Sequence, residues 1–278
     1  MDPLVHRIRD TYDVLPLGER KLAELILEMR GDLAAYSATE LAARVGVSKA
    51  TAARLFRRLG YADFHEMRQQ ARTSHHNGSP LAELSNTLGL EGTLARHLGH
   101  DIGCLTRTIE TIPADRMDAA VKILADAKRV TVIGFRNSYP LAFYARELLL
   151  QVRPQVNLLP VSGQTVSEEL PDLRPDDAIL ALGFRRRPHG LGRILRIAYE
   201  AKARVVLLGD SALGEISKKA QVVFRCVNRG SGLFDSYVAP LSLLNYLCSG
   251  VALALGAPAQ ERLRRIETLH ATLSDLEP

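Results

Sequence analysis

The hydrophobic rhythm of this 278-residue chain changes once, at Arg129, and that change governs what it can fold into. Before Arg129 apolar residues recur at helical spacing, and through residue 75 no run reads as a strand. After it, five short apolar runs at 130–133, 156–159, 178–182, 205–208 and 222–224 alternate with helical stretches, strongest at 191–201 and 213–219. Strands that are apolar on both faces and separated by helices predict a parallel sheet covered on two sides. The length suits an ordinary domain with a smaller partner.

The seam between them is the polar run Ser74-His75-His76-Asn77-Gly78-Ser79-Pro80, where two helix breakers interrupt the periodic pattern. Residues 1–77 therefore form one domain, 78–127 a helical connector, and 128–278 the α/β domain. Within the connector, Leu94, Leu98, Ile102, Leu105, Ile109 and Ile112 make one continuous apolar seam. It is expected to pack on the C-terminal domain, with a coiled-coil stalk as the alternative. A shorter helix at 115–127 follows, with Met117, Val121 and Leu124 inward. The tail holds a helix at 259–273, with Leu263, Ile266 and Leu269 inward.

With 46% apolar and 24% charged residues the chain reads as a globular protein with a real core. Cys104, Cys226 and Cys248 are too scattered for a disulfide framework or a zinc motif, so a reducing, cytoplasmic setting is expected. Met1-Asp2-Pro3 opens no basic segment followed by an apolar run, and no signal peptide is expected. Residues 236–260 carry no charge. The run is interrupted by Pro240, Asn245, Ser249, Gly250, Gly256 and Pro258, which favours a helix buried by its own domain or a partner subunit over a membrane span. No metal pattern is visible among the eight histidines, and no cofactor is expected. A net charge of +5 permits a polyanionic partner.

Residues 38–59 spell helix, tight turn, helix. Ser37 and Glu40 form a capping box, Gly46 supplies the turn, Ser48 caps the second helix and Gly60 ends it. The second helix exposes Ser48, Lys49, Ala50, Thr51, Arg54, Arg57 and Arg58, a charge of +4 with no acid, whereas residues 1–77 hold 12 basic and 10 acidic side chains. Charge concentrated on one element is what a DNA-recognition helix needs. Lys49 and Arg54 would donate to guanine, and the Ala50 or Thr51 methyl would meet thymine. Ser37, Ser48, Arg57, Arg58 and Arg44 suit phosphate contacts. The alternative is a basic helix on a solvated face of a protein-binding domain.

Three stretches, Ala35-Tyr36-Ser37-Ala38-Thr39-Glu40-Leu41-Ala42, Val45-Gly46-Val47-Ser48-Lys49-Ala50-Thr51 and Arg54-Leu55-Phe56-Arg57-Arg58-Leu59-Gly60-Tyr61, resemble the N-terminal domain of the RpiR/MurR family of bacterial transcription regulators. Asp63-Phe64-His65-Glu66-Met67-Arg68 continues the likeness. The resemblance implies an all-α helix-turn-helix domain joined to an α/β three-layer SIS (sugar isomerase) domain with a five-stranded parallel sheet. It also implies a double-stranded DNA operator, a homodimer or homotetramer, and a small anionic metabolite as effector.

In such a sheet the ligand belongs at the C-terminal strand ends. The first loop offers Gly134, Arg136, Asn137 and Ser138, with exposed amides, a hydroxyl and a guanidinium for a phosphate or carboxylate. Gly134-x-x-x-Ser138 is similar to the family's first ligand motif, in which the serine binds the sugar phosphate. After the third strand the family carries an S-x-S-G-x-T loop. Here stands Gly183-Phe184-Arg185-Arg186-Arg187-Pro188-His189, so the hydroxyls are missing. The arginines would bind an anionic ligand, pair with acids of a partner subunit, or face solvent. Ser162-Gly163-Gln164-Thr165 follows the second strand instead and would at most line the cleft. Ser211, in the loop after the fourth strand, resembles a family serine that caps a helix near the cleft, and Asp210 and Glu215 would balance the arginines. For the rival reading, a phosphosugar isomerase with a helical appendage, the candidate acid–base groups are Glu147, Glu168, Glu169 and His189, none in a spacing that demands catalysis. The expected function is a non-enzymatic, ligand-responsive DNA-binding regulator.

Overall fold

A computed structural model describes residues 3–28, 36–68 and 93–274. The seam at 74–80 and the end of the helix expected to reach Arg72 lie outside the described residues. The chain divides into two compact units, with the main division between Glu91 and Gly92.

In the first unit α1 (Pro3–Thr11), α2 (Leu17–Glu28), α3 (Ala38–Arg44) and α4 (Lys49–Arg58) are followed by a helical turn at 64–68. Their cores are one cluster, with Ile8, Leu22, Leu41, Leu55, Phe56 and Met67 fully buried. The capping box forms in both directions, Glu40 N to Ser37 Oγ at 3.2 Å and Ser37 N to Glu40 Oε2 at 2.6 Å. The Ser37 amide and hydroxyl hold the Glu40 carboxyl below its ordinary pKa. Gly46, at φ +68°, makes the turn. Ser48 Oγ accepts from Thr51 N at 3.1 Å and so starts α4. The second expected box is half formed: Asp63 Oδ1 accepts from Glu66 N at 2.9 Å, but Glu66 Oε2 accepts from the amide of Ala62.

The second unit holds α5 (Leu94–Glu110), α6 (Ala114–Asp126), β1 (Val130–Gly134), α7 (Ser138–Val152), β2 (Val156–Leu159), β3 (Ala178–Gly183), α8 (His189–Glu200), β4 (Arg204–Gly209), β5 (Val222–Arg225), α9 (Val238–Leu255) and α10 (Ala257–Leu273). The expected helix at 213–219 is a tight 3-10 segment, Gly214–Lys219. The sheet is fully parallel with strand order β2-β1-β3-β4-β5. Alternate strand residues feed two cores. Val130, Val132, Leu180 and Leu208 pack with α6, α7 and α9, whereas Ile133, Ile179, Val205 and Leu207 pack with α8. Three layers result. Chain order reverses between β1 and β3, and at such a switch point open α/β sheets bind ligands in the crevice outside the C-terminal strand ends.

Two expectations of facing are corrected. Four of the six seam residues do not pack on the domain: Leu94, Leu98, Ile102 and Ile109 are 73, 51, 62 and 70% exposed, whereas Ile112 is partly buried against its core. The buried face of α5 is instead Asp101, Cys104 and Thr108. The reason is hydrogen bonding, since the segment after β5 needs partners. Thr108 Oγ1 accepts from Val227 N at 2.9 Å, while His100 Nε2 and Cys104 Sγ meet the Arg229 carbonyl at 2.6 and 3.5 Å. On α10 Ala259 is the only buried residue among those described, and Leu269 is exposed. Among the described residues α9 alone is long and apolar enough to cross a membrane. One face of it packs on α6 and α7, and Tyr246 and Leu253 lie on its open side. The three cysteines are buried free thiols.

Candidate functional site

The first candidate surface is α4. Lys49, Ala50, Arg54, Arg57 and Arg58 are exposed, while Ala52, Leu55 and Phe56 anchor the opposite face. The Ser37 and Ser48 oxygens accept capping bonds, and a hydroxyl that accepts can still donate to a phosphate. Thr51 faces α2, because a Cβ on Gly18 would stand 3.4 Å from its methyl. Ala50 is therefore the outward methyl. Arg44 stacks over the Tyr36 ring, 4.5 Å from its centroid. One acid that helix-by-helix charge counting misses lies beneath this surface. Glu19 of α2 meets Arg58 at 3.1 Å and Arg54 at 3.9 Å.

The second site is the crevice between β1 and β3. Gly134 ends β1 because α7 comes too close for a side chain: a Cβ there would stand 2.2 Å from the Ser138 carbonyl oxygen. The two amides expected to face a ligand are used within the turn, Ser138 N to Phe135 O at 3.0 Å and Tyr139 N to Arg136 O at 2.9 Å. Asn137 makes no side-chain cap. Ser138 is buried, and its Oγ accepts from Phe184 N at 3.3 Å, bridging the first and second loops across the crevice. Arg136, at φ +55°, and Asn137 are exposed on the rim.

The arginine loop does not act as one unit. Arg187 Nη1 donates to Asp210 Oδ1 at 2.9 Å and to the Gly183 carbonyl at 2.7 Å, and its Nη2 donates to the Ala212 carbonyl. Arg185 Nη2 meets Asp235 Oδ1 at 3.0 Å. Arg186, at φ +62°, is exposed. Asp210 thus balances an arginine as expected, whereas Glu215 pairs with Lys218 at 2.8 Å. Ser211 is half-buried next to Asp210. Asp210 is buried, and its Oδ2 has no hydrogen-bond partner.

Asp235 and Tyr237 complete the cluster. Tyr237 stacks edge-on against Phe184, with centroids 5.6 Å apart. Burial and then the Asp235 charge push its phenol up, while a hydrogen bond with Asn137 and the Arg185 charge pull it down. Of the other expected groups, Ser162 to Thr165 are exposed. Glu168 pairs with Thr165, Glu147 is ion-paired to Arg146 at 2.5 Å, and Glu169 and His189 are exposed. Among the described residues no group of three or more His, Cys, Asp or Glu side chains could hold a metal.

Residues 3–77 match the helix-turn-helix domain of the rpiR family, and residues 123–249 match the SIS domain. The chain belongs to the RpiR/HexR family of helix-turn-helix and SIS-domain proteins. It is 25% identical over 280 residues to the HTH-type transcriptional regulator HexR of Pseudomonas aeruginosa, covering 96% of this chain and 95% of that protein. It is 26% identical over 262 residues to the bifunctional protein glk of Burkholderia pseudomallei, covering 92% of this chain and 40% of that protein. The chain therefore spans less than half the length of the glk relatives it matches. Its fold resembles that of the Vibrio vulnificus NanR protein complexed with ManNAc-6P, with a TM-score of 0.60 at 18% identity over 97% of this chain and 98% of that one. The sugar isomerase domain of an RpiR transcription factor from Sphaerobacter thermophilus aligns with a TM-score of 0.59 at 24% identity, over 63% of this chain and 97% of that one.

Proposed function

We propose that the protein is a sequence-specific DNA-binding regulator, non-catalytic, whose operator affinity responds to a small phosphorylated sugar held at the β1/β3 crevice. The observation that carries the DNA-binding half is α4, a capped helix whose outer face holds Lys49, Arg54, Arg57 and Arg58. Arg54 reads a base edge, with Lys49 and Ala50 beside it. Arg57 and the Ser37 and Ser48 hydroxyls take phosphates, and Arg58 presents its terminal nitrogens to the backbone.

The effector half rests on two complementary groups in one crevice. Arg185, Arg187 and the rim residues Arg136 and Arg186 suit an anion, and the unpartnered Asp210 Oδ2 suits a hydroxyl donor. A phosphosugar, the kind of molecule named in the NanR complex, carries both. Ser138, Asn137 and Ser211 supply neutral hydrogen bonds. An incoming phosphate competes with Asp235 for Arg185. Asp235 lies on the segment after β5, which is tied to α5 through Arg229. Release of Asp235 is thereby passed to α5, the helix that follows the DNA-binding domain in the chain.

A homodimer forms through the outward seam of α5 and the open side of α9, too much contiguous apolar surface to leave in water. Incubating the full chain with a randomised duplex pool tests the reading. Enrichment of a two-fold-symmetric sequence is expected, and failure to enrich any sequence rejects it.

A further inference from the structure

Glu19 lies in the first turn of α2, its side chain 3% exposed. Two cations of the recognition helix meet it: Arg58 Nε stands 3.1 Å from Oε2 and Arg54 Nε 3.9 Å from Oε1. The approach at Oε2 is an ion pair without hydrogen-bond alignment. A buried carboxylate is tolerated only while its countercharges stay. Arg54 and Arg58 are therefore not independent surface arginines.

In both pairs the nitrogen that meets Glu19 is Nε, on the side edge of the guanidinium. The terminal Nη edge is left to serve another acceptor, since the planar group presents five N–H donors in a fixed fork. On Arg54 one of these, Nη2, donates to Thr51 Oγ1 at 3.2 Å, and Thr51 Oγ1 lies 2.9 Å from Ser48 Oγ. A chain of contacts thus runs from the helix cap through Arg54 to Glu19 and Arg58.

We propose that Glu19 is the positioning residue of the DNA-reading surface. It holds Arg54 and Arg58 by their Nε edges, so that their terminal nitrogens meet guanine or phosphate in one fixed direction. Its charge also cancels one of the four positive charges of α4, which keeps affinity for arbitrary sequence low. Discrimination then comes from restraining the arginines as much as from their presence. The proposal rests on the base-reading role given to Arg54 above.

The test uses the full chain, a duplex selected by it from a randomised pool, and a scrambled duplex of equal length, each titrated over a range of salt. Glu19→Gln keeps the shape and removes the charge. It is expected to bind the scrambled duplex about threefold tighter or more, to steepen the salt slope by about one, and to lower the ratio of selected to scrambled affinity about tenfold. Arg54→Lys and Arg58→Lys keep the charge, but one ammonium cannot hold Glu19 and a bidentate acceptor together. Each should lower the ratio about tenfold with the salt slope unchanged. A ratio within twofold of wild type in folded Glu19→Gln overturns the proposal. If that variant does not fold, unchanged ratios in both lysine variants overturn it. Arg54→Ala separates the two failures: if its ratio is unchanged, the base-reading role fails and Glu19's role with it. If only Arg54→Ala loses discrimination, the role of Glu19 alone is wrong.

Discussion

Arg185 and Asp235 meet across the mouth of the crevice, Nη2 to Oδ1 at 3.0 Å, with both side chains mostly buried. The pair joins the loop after β3 to the segment that leads into α9. The neighbouring pair Arg187–Asp210 closes over the β3 and β4 ends in the same way. The crevice therefore holds two cations already balanced by its own acids, and an anionic ligand must compete for them.

Ligand binding should distinguish Arg185 from Arg186. Arg185→Ala is expected to weaken phosphosugar binding about 10- to 150-fold, the loss of one charge-assisted hydrogen bond of roughly 1.5–3 kcal/mol. The exposed Arg186→Ala should change it less than about threefold. Asp235→Asn frees Arg185 without the competition and should tighten binding. Calorimetry with a panel of hexose and amino-sugar phosphates measures all three. Equal losses for Arg185→Ala and Arg186→Ala would contradict this assignment.

On the DNA side, Arg54→Ala should cost about 1–3 kcal/mol at one operator position and relax the base preference there. Arg57→Ala should weaken all duplexes alike and reduce the salt slope by about one. Affinities on single-base variants of a selected duplex, repeated at several salt concentrations, check both.

The α5 seam gives a third expectation. Leu98→Glu combined with Ile102→Glu places two charges on a face that is open in the monomer, so folding should survive. The dimer should not. Sedimentation at micromolar concentration should show a monomer, with operator affinity reduced because one half-site is lost. A dimer that persists would move the interface elsewhere.

At the N-terminal end of β3, Asp177 is 2% exposed and accepts from Arg129 Nε at 3.0 Å and from Arg174 N at 3.0 Å. Burial pushes its carboxyl up, but the Arg129 guanidinium and the Arg174 amide outweigh that and hold it below the usual range. A folded pKa below the unfolded one adds stability that is fully present above the unfolded value, near 3.9. That stability is lost as pH falls through the folded pKa. Asp177→Asn should cost about 1–3 kcal/mol at pH 7, and its deficit against wild type should shrink in acid. Urea melts of both proteins from neutral to acidic pH decide this, and a pH-independent deficit would refute it.

The strands were legible because a doubly covered parallel sheet forces runs such as Ala178 to Leu182 to be apolar on both faces. The caps at Ser37 and Ser48 were legible because capping is local chemistry. What escaped was long-range. The spacing of Leu94, Leu98 and Ile102 showed that they share a face, but not that Thr108 and His100 turn the opposite face inward to bond residues 227 and 229. Glu19 escaped because it is 35 residues from Arg54 in sequence and its own helix gives no hint of the pairing. Asp235 and Tyr237 escaped because they precede an uncharged helix and match no loop motif. Three adjacent arginines left a ligand site, a partner contact and a solvated face open alike, because the sequence does not show that Asp210 and Asp235 of the same chain divide them.

A ligand in the crevice is expected to change what α4 does on DNA. The most direct measurement is the affinity of the full chain for its selected duplex, with and without each phosphosugar that binds, in wild type and in Arg185→Ala. At least one phosphosugar should shift the wild-type affinity about 5- to 150-fold, and the same concentration should leave Arg185→Ala unshifted, its ligand-free DNA affinity already moved toward that of ligand-bound wild type because Asp235 is no longer held by Arg185. A phosphosugar that binds the crevice yet leaves duplex affinity the same in wild type would contradict the account.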